Sequence, residues 1–102
     1  MNTVLQQGYI VARKDYHSDA NCLFDWCRDT KGIIRVADLY NLGMSDEEVH
    51  TVLEADKTKF RIVIGERHYS QKGIYDGQIY HFRAPVGIHE ILVKYELYGE
   101  ED

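Results

Sequence analysis

The first residues to test for chemistry are His17, Cys22 and Cys27, which form an H-x4-C-x4-C pattern. Positions five apart lie about 140° apart around a helix, so two such thiols do not face one ion. A structural zinc site normally needs two close pairs of ligands, and no second pair follows in this sequence. The pattern therefore predicts no metal site. It predicts that Cys27 is a core residue and that Cys22 is partly buried.

Other catalytic patterns are equally sparse. A Cys–His nucleophile pair stays open, because such partners meet in space rather than in sequence. The carboxylates of Asp46 and Glu48 are explained by helix capping, and those of residues 100–102 by a solvated tail. The glycines do not have the spacing of a phosphate-binding loop. We therefore predict no catalytic residue, no cofactor and no enzymatic activity.

The distribution of charge points instead to a binding surface. The formal net charge is −5, yet residues 57–94 carry seven bases and three acids, whereas residues 15–56 carry ten acids and three bases. A basic segment in an acidic protein can mark a contact surface for phosphate or for an acidic partner; the alternative is an ordinary solvated mixture of charges. Basic groups would contact phosphates and tyrosines would stack on bases. The predicted nucleic-acid-binding residues are Lys57, Lys59, Arg61, Arg67, His68, Tyr69, Lys72, Tyr75 and Arg83, with Tyr80 as a further stacking candidate.

Length and composition place these residues in one domain covering 1–102. No apolar run approaches the roughly 20 residues of a membrane span, and the first residues lack a signal-peptide pattern. Two cysteines without such a signal indicate a reducing compartment, so we expect a cytoplasmic protein. Segments 1–14 and 86–98 are predicted to flank the domain, and 99–102 to form a frayed acidic tail.

Three helices are predicted to position the basic segment. The first begins near Ser18 and ends at Gly32, with Trp26 on its apolar side as a core residue. The second covers Val36–Leu42. The third covers Asp46–Ala55 and has the strongest local signal, a capping box of Ser45 and Glu48 with Met44 and Val49 as a hydrophobic staple.

Strands are predicted from short β-branched and aromatic runs. A polar loop over Glu66–Asp76 would end in an Asp76–Gly77 turn. The segment Ile88–Tyr98 fits both periodicities, and its β-branched and aromatic content favours a strand. The predicted strands are Tyr9–Arg13, Phe60–Ile64 and Ile79–Arg83, with room for one β-bridge at Ile33–Ile34.

This order of elements resembles the winged-helix family over residues 18–84. The stretch that carries the resemblance is KGIIRVADLYNLGMSDEEVHTVLEADKTKFRIVI. The resemblance implies an α+β, winged helix-like fold: three helices with a β-hairpin wing, plus terminal strand or helix elements. It also implies that the capped third helix is the recognition helix and that the wing, Glu66–Asp76, touches the nucleic-acid backbone.

The acidic start of the capped helix makes the wing, and not this helix, the expected contact surface. Its first residues, Asp46, Glu47 and Glu48, would be repelled by phosphates, and the helix offers no side chain for bidentate base reading. We therefore expect a small DNA- or RNA-binding protein that uses a basic, tyrosine-rich wing, such as a transcriptional regulator of viral, plasmid or prokaryotic origin. The alternative is a protein-interaction module or inhibitor that acts through its acidic helix surface, including mimicry of nucleic acid. Homodimerisation stays open.

Overall fold

A computed structural model describes residues 2–98 and shows an α+β fold, as the sequence predicts. The elements are β1 (Asn2–Val11), a 3₁₀ helix (Asp19–Cys27), α1 (Val36–Leu42), α2 (Asp46–Asp56), β2 (Arg67–Tyr75), β3 (Gln78–Pro85) and α3 (Val86–Lys94). The acidic tail predicted for 99–102 lies outside the described residues.

One antiparallel sheet organises the chain, in the order β1-β2-β3. The central strand β2 pairs with β1 from Val11↔Arg67 outward, and a bulge interrupts the register between Val4 and Gln6. On its other side β2 pairs with β3 through the two-residue turn at Asp76–Gly77. Both turn residues have positive φ, 51° and 80°, as a type I′ hairpin requires, so this turn prediction is confirmed.

Of the two predicted wing strands, Ile79–Arg83 is confirmed as part of β3, and the other was predicted wrongly. The polar stretch Glu66–Asp76, expected to be a loop, contains the whole of β2. Phe60–Ile64 is not a strand. Phe60 has a φ of 61° and is fully buried, and Ile62 forms only an isolated bridge with Tyr16. As the central strand, β2 is paired along both edges, and its burial does not alternate, because His68, Tyr69 and Ser70 are buried in succession.

The helical predictions are mostly confirmed. Val36–Leu42 is helical, α2 extends one residue beyond the predicted end, and the capping box of Ser45 and Glu48 is present in both directions. Ile34 forms the expected single bridge, with Arg28.

Two helical segments differ from their prediction. The segment after Ser18 is a 3₁₀ helix that buries Ala20, Phe24 and Cys27 and leaves Trp26 41% exposed, so the core assignment of Trp26 is wrong. Cys22 is exposed rather than partly buried. The segment 88–98 begins as α3 and not as a strand, because Ile88, Ile91 and Leu92 follow the helical period and are buried.

The core lies where the helices meet one face of the sheet. Phe24 of the 3₁₀ helix stacks on Phe60 with ring centroids 5.1 Å apart, and Leu39, Val52 and Leu92 complete the centre. Within residues 2–98, no helix has the length and apolar character needed to cross a membrane.

Candidate nucleic-acid interface

The two faces of the sheet separate residues that the sequence analysis grouped together. Cross-strand partners share a face, and successive residues of a strand alternate between faces. The pairs Ser70↔Arg83 and Lys72↔His81 therefore lie on one face, whereas Arg67, Tyr69 and Tyr75 lie on the other. We call the first surface the basic face, defined by Ser70, Lys72, His81 and Arg83 of the sheet with Lys14 and Tyr16 from the loop after β1.

Arg83 occupies the centre of the basic face. One terminal nitrogen, Nη1, donates to Nε2 of His68 at 2.9 Å, and the other, Nη2, donates to Nδ1 of His81 at 3.3 Å. Its guanidinium carbon lies 3.7 Å from the centroid of the Tyr16 ring. Because a guanidinium only donates hydrogen bonds, both imidazole nitrogens that face it must be acceptors.

This geometry assigns the protonation states of both histidines. His68 is fully buried, and burial lowers its pKa below the ordinary 6.5; its Nδ1 faces the carbonyl of Glu66 at 3.5 Å. Burial, then the nearby charges of Arg83 and Lys72, lowers the pKa of His81. Both imidazoles are therefore neutral, with the proton on Nδ1 of His68 and on Nε2 of His81.

The tautomer of His81 bears on catalysis. Its Nε2 lies 2.7 Å from Oγ of Ser70, and with the proton on Nε2 the imidazole donates to that hydroxyl. A base that activates serine must instead accept the hydroxyl proton. In this arrangement the Ser70–His81 pair orients Arg83 and is not set up to generate a nucleophile.

The cations of the basic face lack carboxylate partners. Among residues 2–98, no acid forms an ion pair with Lys14, Lys72 or Arg83. Lys72 is exposed beside its cross-strand neighbour His81, and Nζ of Lys14 lies 5.6 Å from the Tyr16 ring centroid. The charge of Asp19 acts in the opposite direction to the nearby cations and raises the pKa of His81. The basic face therefore carries positive charge that the described part of the chain leaves largely uncompensated.

The opposite face holds aromatic residues that already have partners. Tyr69 is only 8% exposed, and its ring stacks on His89 of α3 at 3.6 Å with an angle of 6° between planes. Tyr9 packs edge-on against both rings, and the guanidinium of Arg67 lies 5.0 Å from Tyr9. Stacking of Tyr69 on a base would require opening this cluster. Tyr75, at the hairpin tip, is exposed.

Three of the predicted contacts lie outside the sheet. Lys57 pairs with Glu54 at 2.6 Å, and Arg61 pairs with Asp15 at 2.6 Å. Lys59 is exposed and has a φ of 56°. The charges of Lys57 and Arg61 are thus compensated locally, and these residues do not extend the basic face.

Two of the three acids at the start of α2 have internal contacts. Asp46 accepts from the Tyr40 hydroxyl at 2.9 Å. Glu48 closes the capping box and also accepts from the Tyr95 hydroxyl at 2.6 Å and from Lys94 at 2.9 Å. The Ser45 amide first, then Tyr95 and Lys94, lower the pKa of Glu48 to about 2. The Glu48 carboxylate therefore joins α2 to α3. Because it is engaged in these contacts, it is not a free acidic group for a protein partner, as the acidic-helix alternative requires.

The cysteine–histidine pattern of the sequence does not form a site. Cys27 is buried, its thiol lies 3.0 Å from the Phe24 carbonyl, and burial raises its pKa. Cys22 and His17 are exposed. No group of three potential metal ligands occurs within the described range 2–98.

Sequence reasoning missed four members of the basic face, namely Lys14, Tyr16, Ser70 and His81 as a contact residue. The sequence did contain a local signal for the β2 part of the basic face, because alternation along HYSQK places positions 68, 70 and 72 on one side of a strand. No local signal predicts that Lys14 and Tyr16 lie on the basic face, since both come from a loop far away in the sequence.

Comparison of the chain with protein-family models, with curated proteins and with solved structures gave no match.

Proposed function

We propose that this protein is a small, non-enzymatic nucleic-acid-binding protein that contacts phosphates through the basic face. The observation that carries the proposal is Arg83, a half-buried guanidinium that two neutral imidazoles and the Tyr16 ring hold in place. No described acid neutralises it.

The chemistry of this arrangement favours an anion. A guanidinium has five N–H donors, of which the histidines engage two, so the others stay available for oxygen acceptors. Fixing the side chain in advance reduces the entropy lost on binding. Lys14 and Lys72 on either side add two flexible cations, which suits a chain of phosphates better than a single anion.

The winged-helix arrangement is the architectural part of this proposal. The 3₁₀ helix, α1, α2 and the β2–β3 hairpin follow one another in the order that the resemblance implies. The third strand, however, is β1 from the start of the chain and not the Ile33–Ile34 segment. With the start of α2 acidic and internally bonded, the proposed contact surface is the hairpin rather than the helix.

Phosphate contacts predict binding that depends strongly on salt and weakly on base sequence. The test measures affinity for mixed duplex and single-stranded DNA and RNA at several salt concentrations. Lys72→Ala should weaken binding about equally for all sequences and make the slope of log K against log salt about 1 unit shallower. Arg67→Ala is the matched control, because Arg67 is an exposed base of the same strand on the opposite face.

Two results would contradict the proposal. If Arg67→Ala weakens binding and Lys72→Ala does not, the aromatic face is the contact surface. If the wild-type protein binds no nucleic acid at low salt, the phosphate-binding function is wrong, and the search turns to a protein partner.

A further inference from the structure

The outer edge of β1 combines three properties of a pairing surface. It is an edge of the described sheet, since β1 pairs only with β2. The strand NTVLQQGYIV contains no charged residue, in a chain where 28% of residues are charged. Its large apolar side chains are between 42% and 60% exposed: Val4, Leu5, Tyr9, Ile10 and Val11. Proteins usually protect such edges with charges, prolines or covering segments, because bare edges pair with other strands.

The two edges of the sheet differ in this respect. On β3, the Ser18 hydroxyl donates to the carbonyl of Arg83 at 2.8 Å, so the segment that starts the 3₁₀ helix occupies that edge at Arg83. Strand β3 also carries the charge of Arg83. On β1, no described residue outside the strands forms a backbone hydrogen bond with residues 6–11. The described chain thus contacts one edge at Arg83 and makes no such contact along residues 6–11 of the other edge.

The ladder shows which backbone groups are available. Ala12 donates to Glu66 and accepts from Gly65, so its backbone points toward β2. In an antiparallel ladder the direction alternates, which turns Gln6, Gly8 and Ile10 toward β2 as well. The amides and carbonyls of Gln7, Tyr9 and Val11 therefore point outward.

We propose that this edge binds the same edge of a second copy of the chain, joining two sheets into one of six strands. With the two-fold axis at Tyr9, residue 9 pairs with residue 9 of the copy, and residues 7 and 11 pair with 11 and 7. On the basic face, Ile10 then lies beside Gly8 of the copy, where a Cβ atom would meet nothing within 4 Å. The exposed Ile10 side chain therefore meets an open space, and the strand is complementary to itself.

The distribution of charge favours a second copy of the chain over an unrelated partner at this edge. Two copies that each carry −5 repel one another, so they associate most readily where neither surface is charged. An uncharged strand also places no like charges opposite each other when it pairs with itself. One strand pair is small beside the about 1,600 Å² of a typical stable complex, so we expect a Kd in the micromolar range or weaker.

The test measures the mass of the purified chain in solution by sedimentation equilibrium, from about 1 μM to 1 mM. The wild type should shift from monomer to dimer across this range. Gln7→Lys with Val11→Lys places like charges across both outer pairs and should weaken dimerisation about tenfold or more. Gln7→Lys with Val11→Glu is the matched control, because it places opposite charges across the same pairs and should restore dimerisation.

A wild type that stays monomeric at about 1 mM would overturn the inference, and so would a dimer that the double lysine variant leaves unchanged. Hydrogen exchange of the wild type gives a test that needs no variant. Protection of the amides of Gln7, Tyr9 and Val11 should rise with protein concentration, whereas the Ile79 amide at the other edge should not change. Protection that rises at Ile79 alone would assign the contact to β3 and overturn the inference.

Discussion

The two histidines beside Arg83 show how one residue's protonation depends on its neighbours. A neutral imidazole accepts a hydrogen bond from Arg83, whereas a protonated one would present a second positive charge to it. The pKa values of His68 and His81 are lowered by burial and by Arg83, and burial also lowers the pKa of His89. All three therefore gain a proton at a lower pH in the folded chain than free histidine does.

This difference predicts a loss of stability in mild acid. Below about pH 6.5 the unfolded chain takes up protons that the folded chain does not, so the free energy of unfolding decreases as the pH decreases. Thermal unfolding should give a constant Tm from about pH 8 to 7 and a lower Tm from about pH 6.5 to 5. His68→Gln should flatten this decline, and His50→Gln, at an exposed position of α2, is the control. Equal slopes in wild type and His68→Gln would contradict the assigned neutral state.

At this scale, local contacts could be predicted from the sequence and distant ones could not. Ser45 and Glu48 lie three residues apart, so their capping box follows from spacing alone. Arg83 and Tyr16 lie 67 positions apart and meet only because β3 packs beside the loop after β1. Their contact depends on the topology of the sheet, which no local pattern encodes.

Among the elements, α2 and α3 are joined through one carboxylate. Glu48 caps α2 and also binds Lys94 and Tyr95 at the end of α3. The side chain therefore stabilises the start of one helix and the position of another. Its lowered pKa means that this stability is present above about pH 4.5 and is lost as the pH falls toward 2.

Three alanine substitutions separate these roles. Ser45→Ala should reduce the free energy of unfolding by about 1 kcal/mol through loss of the cap. Glu48→Ala should reduce it further, because the contacts with α3 are lost as well. Glu47→Ala is the control at an exposed neighbouring position and should change stability by less than about 0.5 kcal/mol. Chemical denaturation provides the measurement, and a Glu48→Ala cost no larger than that of Ser45→Ala would show that the link to α3 contributes nothing.

The helices were predictable because their signals are periodic and capped, but two elements were not. Strand β2 contains mostly polar residues and tyrosine, and its role as the central strand appears only once β1 and β3 are paired with it. In α3 the residues that favour strands are the residues that the helix buries, so tertiary packing overrides β-propensity.

The whole molecule depends on a core that joins its irregular segments to the sheet and helices. Phe60 follows α2 in a left-handed conformation and stacks on Phe24 of the 3₁₀ helix, with no exposure of either ring. Bulky residues rarely adopt positive φ, so this packing must compensate the conformational cost.

The core therefore predicts a large effect for one aromatic residue and a small effect for another. Phe60→Ala should destabilise the fold by about 3–5 kcal/mol, because it leaves a cavity at the centre. Trp26→Ala should cost less than about 1 kcal/mol, because Trp26 is largely at the surface. Denaturant unfolding of both variants provides the comparison. A larger cost for Trp26 would restore the core role that its sequence position suggests.

The pairing of β1 with β2 also determines when the sheet can form during synthesis. The register joins Val11 to Arg67 and Asn2 to Tyr75, positions 56 and 73 apart. At ordinary translation speeds, roughly 3 to 15 s pass between synthesis of the two strands. For that interval an uncharged, apolar segment emerges from the ribosome without its partner, while α1 and α2 already have most of their local contacts. The nascent chain is thus most exposed to chaperones, and to other nascent copies of itself, before β2 has been translated.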